Sequence, residues 1–130
     1  MKDSDLSEEK SLDIFDPLIQ RYGFKLSASL EEDKKIILAN DELKIIFTEE
    51  YRPPRVFTVR LYDGKSLYLG LNILYQYKNL TYSLEEDSRM TLDKLETVTD
   101  FLMNNYSDLL SGDEEIKRDL LAFSKGKSKY

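Results

Sequence analysis

Residues 35–62 read Lys35-Ile-Ile-Leu-Ala-Asn-Asp-Glu-Leu-Lys-Ile-Ile-Phe-Thr-Glu-Glu-Tyr-Arg-Pro-Pro-Arg-Val-Phe-Thr-Val-Arg-Leu-Tyr62, and their reading decides the fold. Three β-prone runs stand in this stretch, separated by turn chemistry. Lys35–Ala39 meets Asn40-Asp41, a tight connection of hairpin type. Leu43–Thr48 follows, with Leu43, Ile45 and Phe47 recurring every second residue and therefore sharing one side. Glu49–Pro54 is a loop that Pro53 and Pro54 keep extended. In Arg55–Tyr62 the alternation allows two faces, Arg55, Phe57, Val59 and Leu61, or Val56, Thr58, Arg60 and Tyr62. The first is the more apolar and turns toward the core. Thr58, Arg60 and Tyr62 are left outward as a polar-aromatic strip.

Working outward, Phe24–Leu30 alternates Phe24, Leu26, Ala28 and Leu30 with polar residues, which adds a strand at the front. Connections this short join antiparallel neighbours, so the expectation is a four-stranded meander closed at Asp63-Gly64. Before it, Phe15, Leu18, Ile19 and Tyr22 recur at helical spacing. They predict a helix over 13–22, capped by Ser11 or Asp13 and stopped by Gly23. After the strands, residues 66–82 fit both periods. The reading is a short strand or extended entry, then one or two helical turns near 70–78. Thr91 caps a long amphipathic helix through Leu92, Leu95, Val98, Leu102, Tyr106 and Leu109 that ends at Gly112. A last helix opens on Asp113-Glu114-Glu115 and buries Ile116, Leu120 and Phe123. The class is α+β, with an N-terminal helix, the meander, and C-terminal helices packed on one face. Residues 1–12 read as a mobile leader, 13–125 as a single domain, and 126–130 as a frayed tail.

Composition bounds the chemistry. Leu, Ile, Val and Phe make up about 29% of 130 residues, enough for a folded core. The chain has neither Cys nor His, which removes disulfides, thiolate nucleophiles and every triad with a histidine base. Acidic pairs occur at Asp41-Glu42, Glu49-Glu50, Glu85-Glu86-Asp87 and Asp113-Glu114-Glu115, in loops or caps and without the spacing of a cation-binding loop. No glycine-rich phosphate loop and no Gly-x-Ser-x-Gly is present. The expectation is a chain that is not an enzyme and holds no metal or cofactor. The net charge of −6 repels phosphate backbones and anionic membranes unless one face is locally basic, so neither nucleic acid nor membrane is the expected partner. The polar N-terminal ten residues and the lack of an apolar span make the cytoplasm the expected compartment.

Tyrosine is the informative excess. Six of nine (Tyr51, Tyr62, Tyr68, Tyr75, Tyr77, Tyr82) fall between residues 51 and 82, together with Arg52, Arg55 and Arg60. Tyr and Arg dominate protein-binding hot spots because each buries a large area and keeps a polar tip. Tyr51, Arg52, Arg55, Arg60 and Tyr62, with Glu49 and Glu50 as complementary charge, are the candidate partner-binding residues.

The Arg21-Tyr-Gly-Phe24 link, the Ile37-Leu-Ala-Asn-Asp-Glu-Leu-Lys-Ile45 hairpin and the closing amphipathic helix resemble small α+β proteins of Firmicutes-type bacteria. Among these are immunity proteins of polymorphic and contact-dependent toxin systems. The similarity spans roughly residues 13–111 and rests on element order and a few dipeptides, so it carries no functional residues over. It implies a non-catalytic cytoplasmic domain that occludes a protein partner, for instance a basic toxin domain attracted by the negative charge. The alternative is a small-molecule site lined by Tyr62, Tyr75 and Phe101 between sheet and helix. Oligomeric state is not legible. The helical register predicts that Leu95→Ala, measured by urea unfolding, costs about 2–5 kcal/mol; parent-like stability would mean that the register is wrong.

Overall fold

A computed structural model describes residues 8–29, 34–50, 56–65, 67–81 and 90–128. The order is α1 (Glu8–Tyr22), β1 (Lys25–Ser29), β2 (Lys34–Ala39), β3 (Lys44–Glu50), β4 (Val56–Tyr62), β5 (Tyr68–Gly70), α2 (Leu71–Tyr77), α3 (Leu92–Asn105), α4 (Ser107–Leu110) and α5 (Glu114–Ser128). The strands form one sheet in the order β1-β2-β3-β4-β5, every pair antiparallel. The meander expected from sequence is present with a fifth strand added. Asp63 makes that strand possible: its carboxylate accepts from the amides of Lys65 (2.8 Å) and Leu67 (3.0 Å), and its own amide donates to the Leu67 carbonyl. With Gly64 at φ +79°, the chain reverses and Tyr68–Gly70 pairs with Arg60–Tyr62.

The register builds the core in rows. Leu26, Leu38, Ile45, Leu61 and Leu69 are successive cross-strand neighbours, and so are Ala28, Ile36, Phe47 and Val59. These side chains are buried, apart from the half-buried Leu26 and Ala28 on the edge strand. The helices pack on this side. Phe15 of α1 meets Phe47 at 5.2 Å between centroids, and α1 packs along α3, whose Leu95, Val98 and Leu102 are wholly buried. Ile19, expected in the core, is half-buried at its margin.

Helix ends differ from the sequence reading in three places: the start of α1, the break of the long helix, and the end of α5, which continues through Ser128. α1 is already helical at Glu8, ahead of the expected start at residue 13, and Ser11 is a buried residue inside the helix rather than its cap. Pro17 lies mid-helix and Gly23, at φ +72°, stops it as expected. The long helix is broken into α3 and α4 at Tyr106 (φ −135°, ψ 34°). The break follows Asn104-Asn105, where the Asn105 side-chain amide donates to the Phe101 carbonyl and the Tyr106 backbone amide still donates to the Leu102 carbonyl. Thr91 caps α3 by accepting from the Lys94 amide at 3.2 Å. Residues 1–7, 30–33, 51–55, 66, 82–89 and 129–130, on which the rest of the leader, the end of the first strand run, the Pro53-Pro54 loop and the end of the tail were read, lie outside the described residues.

Two polar residues tie the β2–β3 turn to the helices. Asn40 accepts from the Glu42 and Leu43 amides at 2.8 and 2.9 Å, and its own amide donates to the Tyr22 carbonyl at the end of α1 (2.8 Å). Glu42 reaches Lys117 of α5 at 3.4 Å and crowds Gly112, where an added Cβ would come within 2.6 Å of its side chain. Asn40→Ala therefore removes three hydrogen bonds, with an expected cost of about 1–3 kcal/mol in urea unfolding. Asn40→Asp keeps the two turn bonds and loses only the donor, and is expected to fall between the two.

Candidate functional site

The alternation that buries one side of each strand fixes what stands on the other. Across the sheet the outward rows read Lys25, Ala39, Lys44, Tyr62, Tyr68; then Ser27, Ile37, Ile46, Arg60, Gly70; then Ser29, Lys35, Thr48, Thr58. None of these positions is buried, whereas their inward neighbours on β2, β3 and β4 are. Among the described residues the sheet thus has one covered face and one open face. At its centre the half-buried Ile37 and Ile46 are cross-strand partners, and beside them the Thr48 and Thr58 hydroxyls hydrogen-bond at 2.6 Å. Toward the β4–β5 corner stand Tyr62 (37% exposed) and Tyr68 (59% exposed), their rings edge to face at 5.7 Å and 85°, with the Arg60 guanidinium 6.0 Å from the Tyr68 centroid.

The sequence-derived site residues separate on this frame. Arg60 and Tyr62 lie side by side on the open face, as their parity requires. Glu49 does not join them. It occupies an inward position, is 1% exposed, and accepts from the Met90 amide at 2.7 Å with the Lys34 ammonium 3.6 Å away. A carboxylate expected on the surface is instead an internal tie between β3 and the start of α3. Glu50 closes the backbone pairing with Val56, and Tyr51, Arg52 and Arg55 lie outside the described residues. Tyr68, from the same tyrosine cluster, completes the open face with Lys25, Lys35 and Lys44; the three lysines were not singled out, and their parity opposite to the apolar set was the available signal.

The other half of the tyrosine cluster is interior. Tyr75 stacks on Phe101 at 3.8 Å and 4°, and Phe101 meets Tyr106 at 5.7 Å, so the rings fill the space between α2 and α3. Tyr62 is on the opposite side of the sheet, and the three residues proposed as a pocket lining do not come together. A cleft of about 120 Å³ between the β2–β3 and β4–β5 turns, lined in part by Lys44, Tyr62 and Asp63, is small against the several hundred Å³ of ordinary ligand sites. Among the described residues no group of three carboxylates is placed to hold a metal ion, and no helix is long and apolar enough to cross a membrane. Comparison with protein-family models, curated proteins and solved structures finds no match in any of the three.

Burial raises the ionisation of the interior phenols above the usual 10. Desolvation acts on Tyr75 and most strongly on the fully buried Tyr106, whose hydroxyl donates to the Leu74 carbonyl. Tyr77 is raised by desolvation and by its hydrogen bond and charge repulsion with Asp119. A phenol whose folded pKa lies above its unfolded value stabilises the fold fully below about pH 10 and loses that contribution as pH rises further, because the unfolded chain ionises first. Tyr106→Phe is expected to cost about 1 kcal/mol at neutral pH through the lost hydrogen bond. It is also expected to flatten the fall of the urea midpoint above about pH 10; an unchanged alkaline slope would show that folding does not raise the ionisation of Tyr106.

Proposed function

We propose that this chain is a non-catalytic protein-binding domain whose working surface is the open face of its sheet. The observation that supports it most is the contrast between the two faces. One is covered by helices, and the other leaves Ile37, Ile46, Tyr62 and Tyr68 accessible around Arg60. An apolar centre with aromatic and Arg anchors is the anatomy of a protein interface. A sheet also holds such side chains rigidly, which lowers the ordering cost of association. An immunity or antitoxin role in the cytoplasm, occluding a toxin by occupying its surface, is the concrete form of this reading. It draws on the resemblance of the Arg21–Phe24 link and the hairpin, and on a chain with no Cys or His to supply chemistry. The small-molecule alternative has less support, because Tyr75 and Phe101 occupy each other's faces.

A photo-crosslinking amino acid placed at Tyr62 or Thr58, with Glu96 on the exposed side of α3 as the contrast, tests the reading in the native cell. A discrete protein adduct from the two sheet positions and none from Glu96 is expected; adducts from Glu96 alone would overturn it. With the partner in hand, Tyr62→Ala and Arg60→Ala are each expected to weaken binding by about 1–2 kcal/mol or more while leaving thermal unfolding unchanged.

A further inference from the structure

The net charge of −6 is not spread evenly over the molecule. In the three outward rows the ionisable side chains other than tyrosine are cations, Lys25, Lys35, Lys44 and Arg60, while Glu50, paired with Val56 at the next outward position of β3, lies beyond them at one end of the face. None of the three lysines is ion-paired among the described residues. α1 and α3 carry the opposite balance, with Asp93, Glu96 and Asp100 against Lys94 on α3, and Glu8, Glu9, Asp13 and Asp16 against Lys10 and Arg21 on α1, while α5 holds Glu114, Glu115 and Asp119 against Lys117, Arg118, Lys125 and Lys127. Strand spacing of about 4.8 Å puts Lys25 and Lys44, two strands apart in one row, about 10 Å from each other. That is comparable to a Debye length at physiological salt, so their fields add over the face.

Resting on the reading of this face as a protein-binding surface, we infer that its partner presents an apolar patch ringed by carboxylates. The geometry supplies both halves. Ile37 and Ile46 make the apolar centre, and the cations stand around it, Lys35 beyond one end, Lys25 and Lys44 beyond the other, and Arg60 on the neighbouring strand. Opposed charge around a desolvated centre steers encounter and rejects wrong partners. The sign is opposite to the one that total charge selects, because the excess of acid lies outside these rows, on α1, α3 and the turns.

Two other occupants fit less well. A two-fold pairing of this face with a second copy sets the same cations against one another. A single-stranded nucleic acid shares the required charge, but bases stack on aromatic faces presented side by side. Tyr62 and Tyr68 meet at 85°, and the centre of the face is aliphatic.

The experiment is selection of a random peptide library on the intact chain, with the enriched peptides synthesised and titrated by fluorescence anisotropy. Enrichment of Asp and Glu around apolar residues is expected. So is a loss of about tenfold or more in affinity in the double variant Lys44→Glu/Arg60→Glu, a smaller loss in Lys44→Gln/Arg60→Gln, and weakening with added salt. Peptides that lose binding on Tyr62→Ala but are neutral or basic would overturn the inference about charge and leave the binding face standing. Peptides indifferent to Tyr62→Ala and to both double variants, or no enriched peptide at all, would overturn the reading of the face itself. A labelled oligothymidylate that binds the same face as tightly as the peptides would assign it to nucleic acid. A dimer in sedimentation that Tyr62→Ala dissolves would assign it to a second copy.

Discussion

A strand sends successive side chains to opposite sides, and this period of two is the constraint on which the molecule depends. In β2, β3 and β4 the residues Ile36, Leu38, Ile45, Phe47, Phe57, Val59 and Leu61 all fall on one parity and all are buried. Register then aligns them across strands, so that Leu38, Ile45, Leu61 and Leu69 form one continuous row under the helices. A slip of one residue would exchange these for Lys35, Ile37, Lys44, Ile46, Arg60 and Tyr62, burying cations without partners; that cost pins the pairing. The open face is the necessary complement of the core, and its basic, aromatic character follows from the same parity.

The layers are tied together by a few polar groups at the margins of the apolar rows. Asn40 closes the β2–β3 turn and holds the last carbonyl of α1. Glu49 uses a position that would otherwise extend the apolar row to hold the amide of Met90 just before α3. Tyr106 breaks the long helix and turns its hydroxyl to the Leu74 carbonyl, joining α2 to the α3–α4 corner. Each of these satisfies a backbone group that would be costly to bury unpaired. They fix where the helices sit on the sheet, while the apolar rows supply the general attraction.

The parts of this arrangement governed by local periodicity were legible in the sequence. Leu43, Ile45 and Phe47 announced their face, Phe57, Val59 and Leu61 theirs, and Gly23 and Thr91 marked helix ends through their own backbone and side-chain chemistry. What was not legible depends on contacts distant in sequence. Glu49 reads as a solvated acid beside Glu50, and only the approach of Met90, 41 positions later, makes it an internal acceptor. Tyr62 and Tyr75 look alike in one cluster, yet the sheet separates them, because one lies at an outward strand position and the other on a helix stacked against Phe101. Net charge likewise sums over the whole chain, and the cations of the open face come together only after the strands are placed.

The central claim is that one side of the sheet is dry and the other faces solvent, and two pairs of adjacent isoleucines report on it directly. Ile36 and Ile45 point inward, and Ile37 and Ile46 outward. Methyl relaxation by a soluble paramagnetic agent, measured on isoleucine-labelled protein, compares the two pairs within a single sample. Strong enhancement at Ile37 and Ile46 with little at Ile36 and Ile45 is the result this account predicts. Equal enhancement at both pairs, or the reverse order, would contradict the register and the binding face built on it.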